Sequence, residues 1–321
     1  MHLTPIAAAS PKMTSNDTAR PIAAPVDGLL LLNKPAGITS NQALQKVKRL
    51  LQAKKAGHTG SLDPAATGML PLCFGEATKV CAYLLEADKT YRVTARLGEA
   101  TNTGDRDGEI NATAEVPDLE QRAWEQILAQ FCGEIDQVPP MYSALKKDGK
   151  RLYELARKGQ VVEREARRIR IDEIRLLEIS GTRLVLRVKC SKGTYIRTLV
   201  EDIARAAGTV AYTARLHRET VGDFQAEDML DLPGAERVAE AGPDALRARL
   251  LPTDLALSSW PDYHIPEDAA ERFCGGQAVA VASGGAEGLV RVYAGEERFL
   301  GVGQLGSDSL LAPRRIFRLA G

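Results

Sequence analysis

The segment Gly57-His-Thr-Gly-Ser-Leu-Asp-Pro-Ala-Ala-Thr-Gly68 says more about this chain than any other. It places a single carboxylate, Asp63, in a loop whose glycines let other backbone or a ligand approach closely. Pro64 follows that acid, supplies no backbone N–H and stiffens the chain after it. A lone Asp-Pro pair usually only opens a turn, so the loop by itself leaves that interpretation open. It lacks the Gly-Lys-Ser/Thr of a nucleotide-binding P-loop.

Hydrophobic patterns on both sides of this loop predict strands and helices that do not alternate regularly. Gly28–Leu32 is an apolar run typical of a buried strand, and Ser40 is placed to cap a helix over Asn41–Gln52. Tyr91–Leu97 and Arg183–Cys190 alternate apolar and polar residues, which predicts half-buried strands. The mixture favours an α+β fold with a mixed sheet over a doubly wound one.

Further helices and a β-rich C-terminal part are predicted in the rest of the chain. A helix is expected near Ala77–Leu85, and apolar residues from Ile196 to Ala207 mark an amphipathic helix that ends at Gly208. From about Pro261 the chain changes to short β runs between glycines, which predicts a small all-β domain. Its predicted strands are Ala278–Ala282, Leu289–Tyr293, Phe299–Leu305 and Ile316–Leu319.

Composition excludes several classes of protein. The chain has 321 residues, 44% of them hydrophobic, which suffices for one or two domains with a sizeable core. No apolar stretch approaches the length of a transmembrane helix, and the N-terminal residues lack the apolar centre of a signal peptide. We therefore expect a loose tail over residues 1–26 and a cytoplasmic location. Five cysteines without a Cys-x-x-Cys pair, and four histidines without ligand spacing, argue against a disulfide frame or a metal site.

Charge is distributed unevenly along the chain, although the net charge is zero. Lys146–Arg170 holds ten basic and four acidic residues, whereas Asp223–Leu300 holds fifteen acidic and six basic residues. A basic segment beside an acidic one is compatible with a localised phosphate-binding face. By composition alone, a solvated charged surface is the simpler explanation. The stretch from Pro139 to Arg168 has no strand pattern, so we expect it to leave the sheet.

Several motifs, taken in order, resemble the TruB family of pseudouridine synthases. The loop matches the family's Gly-His-Thr-Gly-x-Leu-Asp-Pro-x-Ala-Thr-Gly, and Gly28–Ser40 matches its opening Gly-x-Leu-x-x-x-Lys-Pro-x-Gly-x-(Ser/Thr)-Ser. Lys89-Thr90-Tyr91 matches its Lys-x-Tyr strand, and Ser191–Thr198 matches its Ser-Lys-Gly-Thr-Tyr-Ile-Arg-Thr segment. The likeness runs from about residue 27 to residue 221, and the combination of motifs is specific.

The resemblance implies a role for each of several residues. Asp63 is expected to be the catalytic nucleophile, with Arg197 as its ion-pair partner. Four residues are expected to bind the substrate: His58, Tyr91, Tyr195 and Leu216. Among them, Tyr91 would stack on the flipped base and stand where proton transfer occurs, and His58 would help to open the RNA loop. Taken singly, Tyr91 and Leu216 also suit ordinary core positions, but the order of the motifs favours function.

The implied reaction is the isomerisation of uridine 55 in the TΨC loop of tRNA to pseudouridine, catalysed by an isomerase of the intramolecular transferase class. It breaks a C–N glycosidic bond, turns the base and forms a C–C bond without redox change, so no cofactor and no metal are expected. A carboxylate can act covalently on the sugar or the base when it is ionised, and a nearby guanidinium favours that form. The base must also leave the stack of the loop. The expected partner is the tRNA T stem-loop, bound by a monomer that requires no protein partner.

The resemblance also divides the chain into parts. These are the tail at 1–26, a catalytic domain at 27–255 with an insertion at about 139–168, and a β domain similar to a PUA module at 256–321. The insertion would close over the RNA, and its candidates for backbone contact are Lys146, Lys147, Lys150 and Arg151. Two alternatives stay open: a guide-RNA-dependent pseudouridine synthase, and an RNA-binding or RNA-folding protein without essential catalysis. The Asp105-Arg-Asp-Gly108 sequence has some similarity to a calcium loop but is predicted to be a turn.

Overall fold

The computed structural model describes residues 25–143, 145–147, 149–282 and 287–319. Within these ranges, nine strands form one mixed sheet and five strands form a separate C-terminal sheet. The predicted α+β class, with a mixed sheet and a small C-terminal β domain, is confirmed. The tail predicted for the first residues falls, up to residue 24, outside the described residues.

The elements follow one another in chain order. The strands are β1 Gly28–Lys34, β2 Ala56–His58, β3 Thr67–Phe74, β4 Lys89–Leu97, β5 Glu99–Thr101, β6 Ile110–Thr113, β7 Gly133–Gln137, β8 Lys146–Lys147, β9 Lys150–Arg151, β10 Arg167–Ser180, β11 Arg183–Cys190, β12 Ala211–Val221, β13 Leu230–Asp231, β14 Asp262–Ile265, β15 Val279–Ala280, β16 Gly288–Ala294, β17 Arg298–Leu305 and β18 Leu310–Ile316. The helices are α1 Ser40–Leu50, α2 Cys81–Glu86, α3 Gln121–Ala129, α4 Leu152–Ala156, α5 Ile196–Ala206, α6 Leu232–Glu240, α7 Pro243–Arg247 and α8 Glu267–Cys274. In the part of the chain that the structure describes, no helix is long and apolar enough to cross a membrane.

The large sheet has the strand order β13-β1-β3-β12-β4-β11-β10-β7, with β2 paired to β3. Its pairings are antiparallel except those of β1 with β13 and of β3 with β12. Because successive side chains of a strand point to opposite faces, one face of β4 and β11 is apolar. That face packs against α3 and α5, in a core that includes Val93, Leu186, Trp124 and Leu199.

The run of four leucines in β1, Leu29–Leu32, is buried on both faces of the sheet. Leu30 and Leu32 pack beneath α1 and α6, whereas Leu29 and Leu31 lie in a cluster that includes Phe299 of the C-terminal sheet. The C-terminal sheet therefore packs directly on the large sheet. Helix α8 covers its other side, where Phe273 joins a core with residues of β16, β17 and β18.

Local contacts move two helix boundaries away from the predicted positions. Helix α1 is capped by Thr39, not by Ser40, because the Thr39 hydroxyl accepts the Gln42 N–H at 3.1 Å and the Gln42 side chain accepts the Thr39 N–H at 2.8 Å. The helix predicted over Ala77–Leu85 is divided into a 3₁₀ segment, Gly75–Val80, followed by α2.

The last predicted strand is also displaced. The chain forms β18 over Leu310–Ile316, and residues 317–319 lie beyond it. Pro313 argues against a strand in the sequence, since proline cannot donate to a ladder. The structure accommodates it next to a register shift between β17 and β18, where Gly303 faces Pro313 and Val302 faces Arg315.

The chain leaves the large sheet between the end of β7 and the start of β10, as the missing strand pattern predicts. It nevertheless contains regular structure there. Strands β8 and β9 pair as a small hairpin, with Lys146 opposite Arg151, and α4 follows directly.

Candidate active site

The loop between β2 and β3 carries Asp63 and is fixed to the rest of the protein. The Ser40 hydroxyl accepts the Leu62 N–H at 2.8 Å and donates to the Leu62 carbonyl at 3.1 Å. The Asp63 carbonyl accepts the Ala66 N–H at 3.0 Å, which closes a turn with Pro64 at its second position. The turn suggested by Asp-Pro therefore exists, and it holds the acid in a defined place.

Lys34, the last residue of β1, supports this loop from inside the protein. Its ammonium group donates to three carbonyl groups, those of Pro35 at 2.8 Å, Ile38 at 2.7 Å and Pro64 at 3.3 Å. Lys34 is 0% exposed. Burial lowers the pKa of Lys34 to about 8, while the nearby Asp63 carboxylate acts in the opposite direction. The sequence places Lys34 in a motif but gives no indication of this support.

Arg197 meets Asp63 directly. It belongs to the first turn of α5, its side chain is 6% exposed, and its Nε lies 3.0 Å from Asp63 Oδ2. Its Nη1 donates to the Thr103 carbonyl at 2.7 Å and lies 3.4 Å from Asp105 Oδ2, while its Nη2 donates to the Tyr142 carbonyl at 2.7 Å. The guanidinium thus joins the Asp63 loop, the turn after β5 and the start of the insertion.

The charge state of Asp63 reflects opposing influences. Its side chain is 42% exposed, yet desolvation by the surrounding chain raises the pKa of Asp63 above its ordinary value. The Arg197 guanidinium lowers this pKa, the Asp105 carboxylate raises it and the Lys34 ammonium lowers it. The pair with Arg197 therefore favours the ionised carboxylate, as expected, but burial has the larger effect.

Asp105 is a site residue that sequence reasoning missed. It lies in the predicted turn, where its Oδ1 accepts the Thr103 hydroxyl at 2.7 Å and the Asp107 N–H at 3.1 Å. Its other carboxylate oxygen faces Arg197, and its side chain is 15% exposed. Among the described residues, no group of three or more His, Cys, Asp or Glu side chains is arranged to hold a metal ion.

Two bulges in β12 decide which of its side chains face the site. One extra residue, Ala214, shifts the register so that Leu216 lies opposite Val93 and Arg218 lies opposite Tyr91. Directly opposed residues of an antiparallel pair project from the same face, so Leu216 and Arg218 share a face with Tyr91. Burial raises the pKa of the Tyr91 hydroxyl, and the Arg218 charge lowers it.

His58 and Tyr195 stand at the edges of the site. His58 ends β2, and its Nδ1 is buried without a hydrogen-bond partner within the described ranges. Burial, followed by the Arg218 charge, lowers the pKa of His58, so the imidazole is neutral at pH 7. Tyr195 caps α5: its N–H donates to the Gln137 side chain at 2.8 Å, and that side chain donates back to the Tyr195 carbonyl at 3.1 Å.

A small cavity opens beside Asp63. Its lining consists of Asp63, Ala65, Ala66, Asp105, Arg197, Thr213, Ala214, Arg215 and Leu216. Of the predicted substrate-binding residues, Leu216 lines it, whereas His58, Tyr91 and Tyr195 lie outside it. Its volume is about 10 Å³, which holds about one water molecule.

The predicted RNA-backbone residues lie apart from this cavity. Lys146, Lys147, Lys150 and Arg151 are all exposed on the β8–β9 hairpin. Lys147 donates to the Glu163 carbonyl at 2.7 Å, and the Arg151 guanidinium lies 5.8 Å from the centre of the Tyr153 ring. The contact between the insertion and Arg197 is the hydrogen bond that the Tyr142 carbonyl accepts from the guanidinium.

Comparison with protein families identifies the parts of the chain. Residues 48–196 match the TruB family pseudouridylate synthase N-terminal domain. Residues 197–258 match the tRNA pseudouridylate synthase B C-terminal domain, and residues 261–317 match the C-terminal domain of pseudouridine synthase II TruB.

Curated relatives are similar over almost the whole chain. The tRNA pseudouridine synthase B of Pseudomonas putida strain F1 is 51% identical over 294 residues, which cover 91% of this chain and 96% of that protein. The protein of the same name from Nitrosococcus oceani is 50% identical over 291 residues, covering 91% and 94%.

Solved structures share the fold. A chain of an H/ACA RNP bound to a substrate RNA containing 2'-deoxyuridine superposes with a TM-score of 0.71 at 24% identity, covering 91% of this chain and 85% of that one. A chain of a Cbf5-Nop10-Gar1 complex superposes with a TM-score of 0.70 at 26% identity, with the same coverage.

Proposed function

Since the chain belongs to the TruB family of pseudouridylate synthases, we propose that it isomerises uridine 55 in the TΨC loop of tRNA to pseudouridine, with Asp63 as nucleophile. The observation that carries this proposal is the 3.0 Å pair of Asp63 and Arg197 in an anchored loop. A carboxylate in that position can react only when ionised, and the buried guanidinium stabilises that form. Tyr91 and Leu216 share the adjoining face of the sheet.

Each step of the reaction has a candidate group. The bond between C1' of the ribose and N1 of the base breaks while Asp63 stabilises the electron-poor fragment by forming a covalent bond to it. After the base turns, C5 bonds to C1' while the covalent bond to Asp63 breaks and its electron pair returns to the carboxylate. The proton on C5 then leaves, and N1, which carries none in uridine, gains one, so atoms and electrons balance. The Tyr91 hydroxyl is the candidate for proton transfer at C5. Leu216 and the ring of Tyr91 would receive the flipped base in place of its stacked neighbours.

The RNA itself would be held outside the cavity. We assign this binding to the exposed cations of the β8–β9 hairpin, which would contact the phosphates of the T stem-loop. The attraction of these cations for phosphate is independent of sequence. We expect a monomer that needs no guide RNA and no protein partner. The predicted cytoplasmic location stays a prediction.

The test is incubation of the purified protein with an unmodified tRNA transcript, followed by mapping of pseudouridine. We expect modification at uridine 55 and none in a transcript carrying cytidine there. Asp63→Asn keeps the shape of the side chain but removes its charge, so this variant should bind tRNA and make no product. Release of tritium from C5-labelled uridine measures the turnover. Substantial turnover by Asp63→Asn would falsify the nucleophile assignment.

The same assay separates the alternatives. A guide-dependent enzyme makes no product until a guide RNA and partner proteins are supplied. An RNA-folding protein without essential catalysis accelerates tRNA folding equally well as wild type and as Asp63→Asn, with no pseudouridine in either case.

A further inference from the structure

Arg218 is a buried cation that the proposed chemistry does not yet use. It is 1% exposed, and it is among the largest fully buried side chains of the described chain. Its guanidinium donates to backbone carbonyls, and within the described residues it forms no ion pair with a carboxylate. Burying a charge without a counter-ion is costly, so such a residue requires an explanation in terms of what it holds or polarises.

The first part of the explanation is mechanical. Arg218 Nε donates to the Met69 carbonyl at 2.7 Å, and its Nη2 donates to the Gly60 carbonyl at 2.8 Å. Its backbone pairs with Gly68, where a Cβ atom would lie 2.2 Å from the Arg218 carbonyl oxygen. Arg218 therefore holds both ends of the loop over residues 60–69 through hydrogen bonds, and Asp63 lies between these two contacts.

The second part is electrostatic. Arg218 lies directly opposite Tyr91 across the β12–β4 pair, on the same face. The groups that act on Tyr91 are Arg218 from β12, Cys190 from β11 and Asp63 from the loop. Burial raises the pKa of the Cys190 thiol to about 12, so that group is neutral at pH 7. Arg218 is therefore the cation of this set, and its charge makes it easier for the Tyr91 hydroxyl to lose a proton.

We propose that Arg218 is a positioning residue of the isomerisation, which clamps both ends of the Asp63 loop and places a positive charge against Tyr91. The electrostatic part of this inference, the action of Arg218 on Tyr91, rests on the proposed function. The clamp itself is independent of the reaction, because it concerns the folded loop. The two halves predict different consequences for two substitutions.

The experiment compares Arg218→Lys and Arg218→Met with wild type, and uses Arg96→Met as the matched control. Arg96 lies on β4 but is exposed and points away from Tyr91, towards Glu99 and Thr182. Three quantities are measured for each protein: hydrogen exchange of the amides of residues 59–69, the dissociation constant for tRNA, and the pH dependence of kcat. Lysine keeps the charge but loses the fork that reaches two carbonyls, whereas methionine loses both.

In both Arg218 variants we expect faster exchange in the loop and retained affinity for tRNA. Arg218→Lys should lose about tenfold in kcat through misplacement of Asp63, and Arg218→Met about a hundredfold. The limb of the pH profile that depends on Tyr91 should move to higher pH in Arg218→Met, because the lost charge had lowered the pKa of Tyr91. It should stay in place in Arg218→Lys and in Arg96→Met.

The outcomes separate this inference from the proposed function. If wild type makes no pseudouridine, the proposed function fails, and hydrogen exchange still tests the clamp. If wild type is active but Arg218→Met has the same loop exchange and the same pH profile, the proposal for Arg218 is wrong. If Arg218→Met does not fold, Arg218→Lys decides: unchanged loop exchange together with unchanged kcat overturns the proposal.

Discussion

Replacing Arg197 by alanine leaves four groups without their partner. These are the carboxylates of Asp63 and Asp105 and the carbonyl oxygens of Thr103 and Tyr142. The two carboxylates then repel each other with no cation between them. We expect this single change to lower the stability of the chain, to alter the ionisation of Asp63 and to reduce turnover.

The size of the stability effect follows from the exposure of each partner. Removing one member of a buried ion pair typically costs about 3–5 kcal/mol of unfolding free energy. Asp63 is 42% exposed and regains water when the guanidinium is removed, whereas Asp105 is 15% exposed and regains less. We therefore expect a loss near the lower limit, about 3 kcal/mol. At about 2 °C per kcal/mol for a large domain, Tm should fall by roughly 6 °C.

The loss of stability should depend on pH. Burial raises the pKa of Asp63, and removing Arg197 raises it further, since the guanidinium had lowered it. An acid whose pKa is higher in the folded chain stabilises the fold below its unfolded pKa, and this contribution disappears as pH rises through the folded pKa. The difference in unfolding free energy between wild type and Arg197→Ala should thus be smallest near about pH 4 and larger at neutral pH.

Urea denaturation at these two pH values, and tritium release at saturating tRNA across the pH range, measure the two effects. Residual activity of Arg197→Ala should need a higher pH than wild type, because Asp63 must be ionised to react. Arg197→Lys, which keeps a cation, serves as the control and should shift the profile less. An unchanged pH–rate profile, or an equal loss of stability at both pH values, would refute the reasoning.

Two further predictions concern Tyr91 and the insertion. Tyr91→Phe keeps the ring but loses the hydroxyl, so kcat should fall by about 10²–10⁴-fold while the dissociation constant for tRNA is retained. Weaker binding with an unchanged kcat at saturating tRNA would assign Tyr91 to binding alone. Replacing the four exposed cations of the β8–β9 hairpin by Gln should weaken tRNA binding and flatten the slope of log affinity against log salt by roughly 0.7–0.9 for each phosphate that is no longer neutralised. An isolated T stem-loop should remain a substrate of this variant. The four residues are Lys146, Lys147, Lys150 and Arg151. An unchanged slope would remove the hairpin from RNA binding while leaving the Asp63 chemistry intact.

The parts of the fold that the sequence predicts well are those in which local pattern and tertiary environment agree. Strand β11 begins and ends where its alternation does, and α5 coincides with its apolar stripe, because one face of each packs in the same core. The pairing of Asp63 with Arg197 has a different origin. It is predicted through the resemblance to a family, since 134 positions separate the two residues and no periodicity links them. Composition and spacing alone predict only a turn at Asp63.

The residues that sequence reasoning missed act through contacts that no local pattern encodes. Ser40 looks like a helix cap, and in the structure its hydroxyl is bonded to Leu62 of the catalytic loop while Thr39 caps the helix. Asp105 looks like a turn residue, and it is one. Its second oxygen reaches Arg197 only because β5 brings the turn beside α5. The local sequence around Ser40 and around Asp105 already accounts for each side chain, as a helix cap or a turn residue. It therefore gives no indication of the contact that each makes in the site.

Arg218 shows why strict alternation of side chains along β12 does not predict which of them face the site. Counting by twos from Ala211 would point Arg215 and His217 into the core and Arg218 outward. The extra residue at Ala214 reverses this, so a single inserted position selects the cation that faces Tyr91. The sequence does indicate the room that the β12 backbone needs at this position. A Cβ atom at Gly68 would lie 2.2 Å from the Arg218 carbonyl oxygen, and Gly68 has a φ of +103° that other residues rarely adopt. Gly68, whose place in the loop predicts close approach by another group, therefore marks the point where the backbone of β12 passes at Arg218.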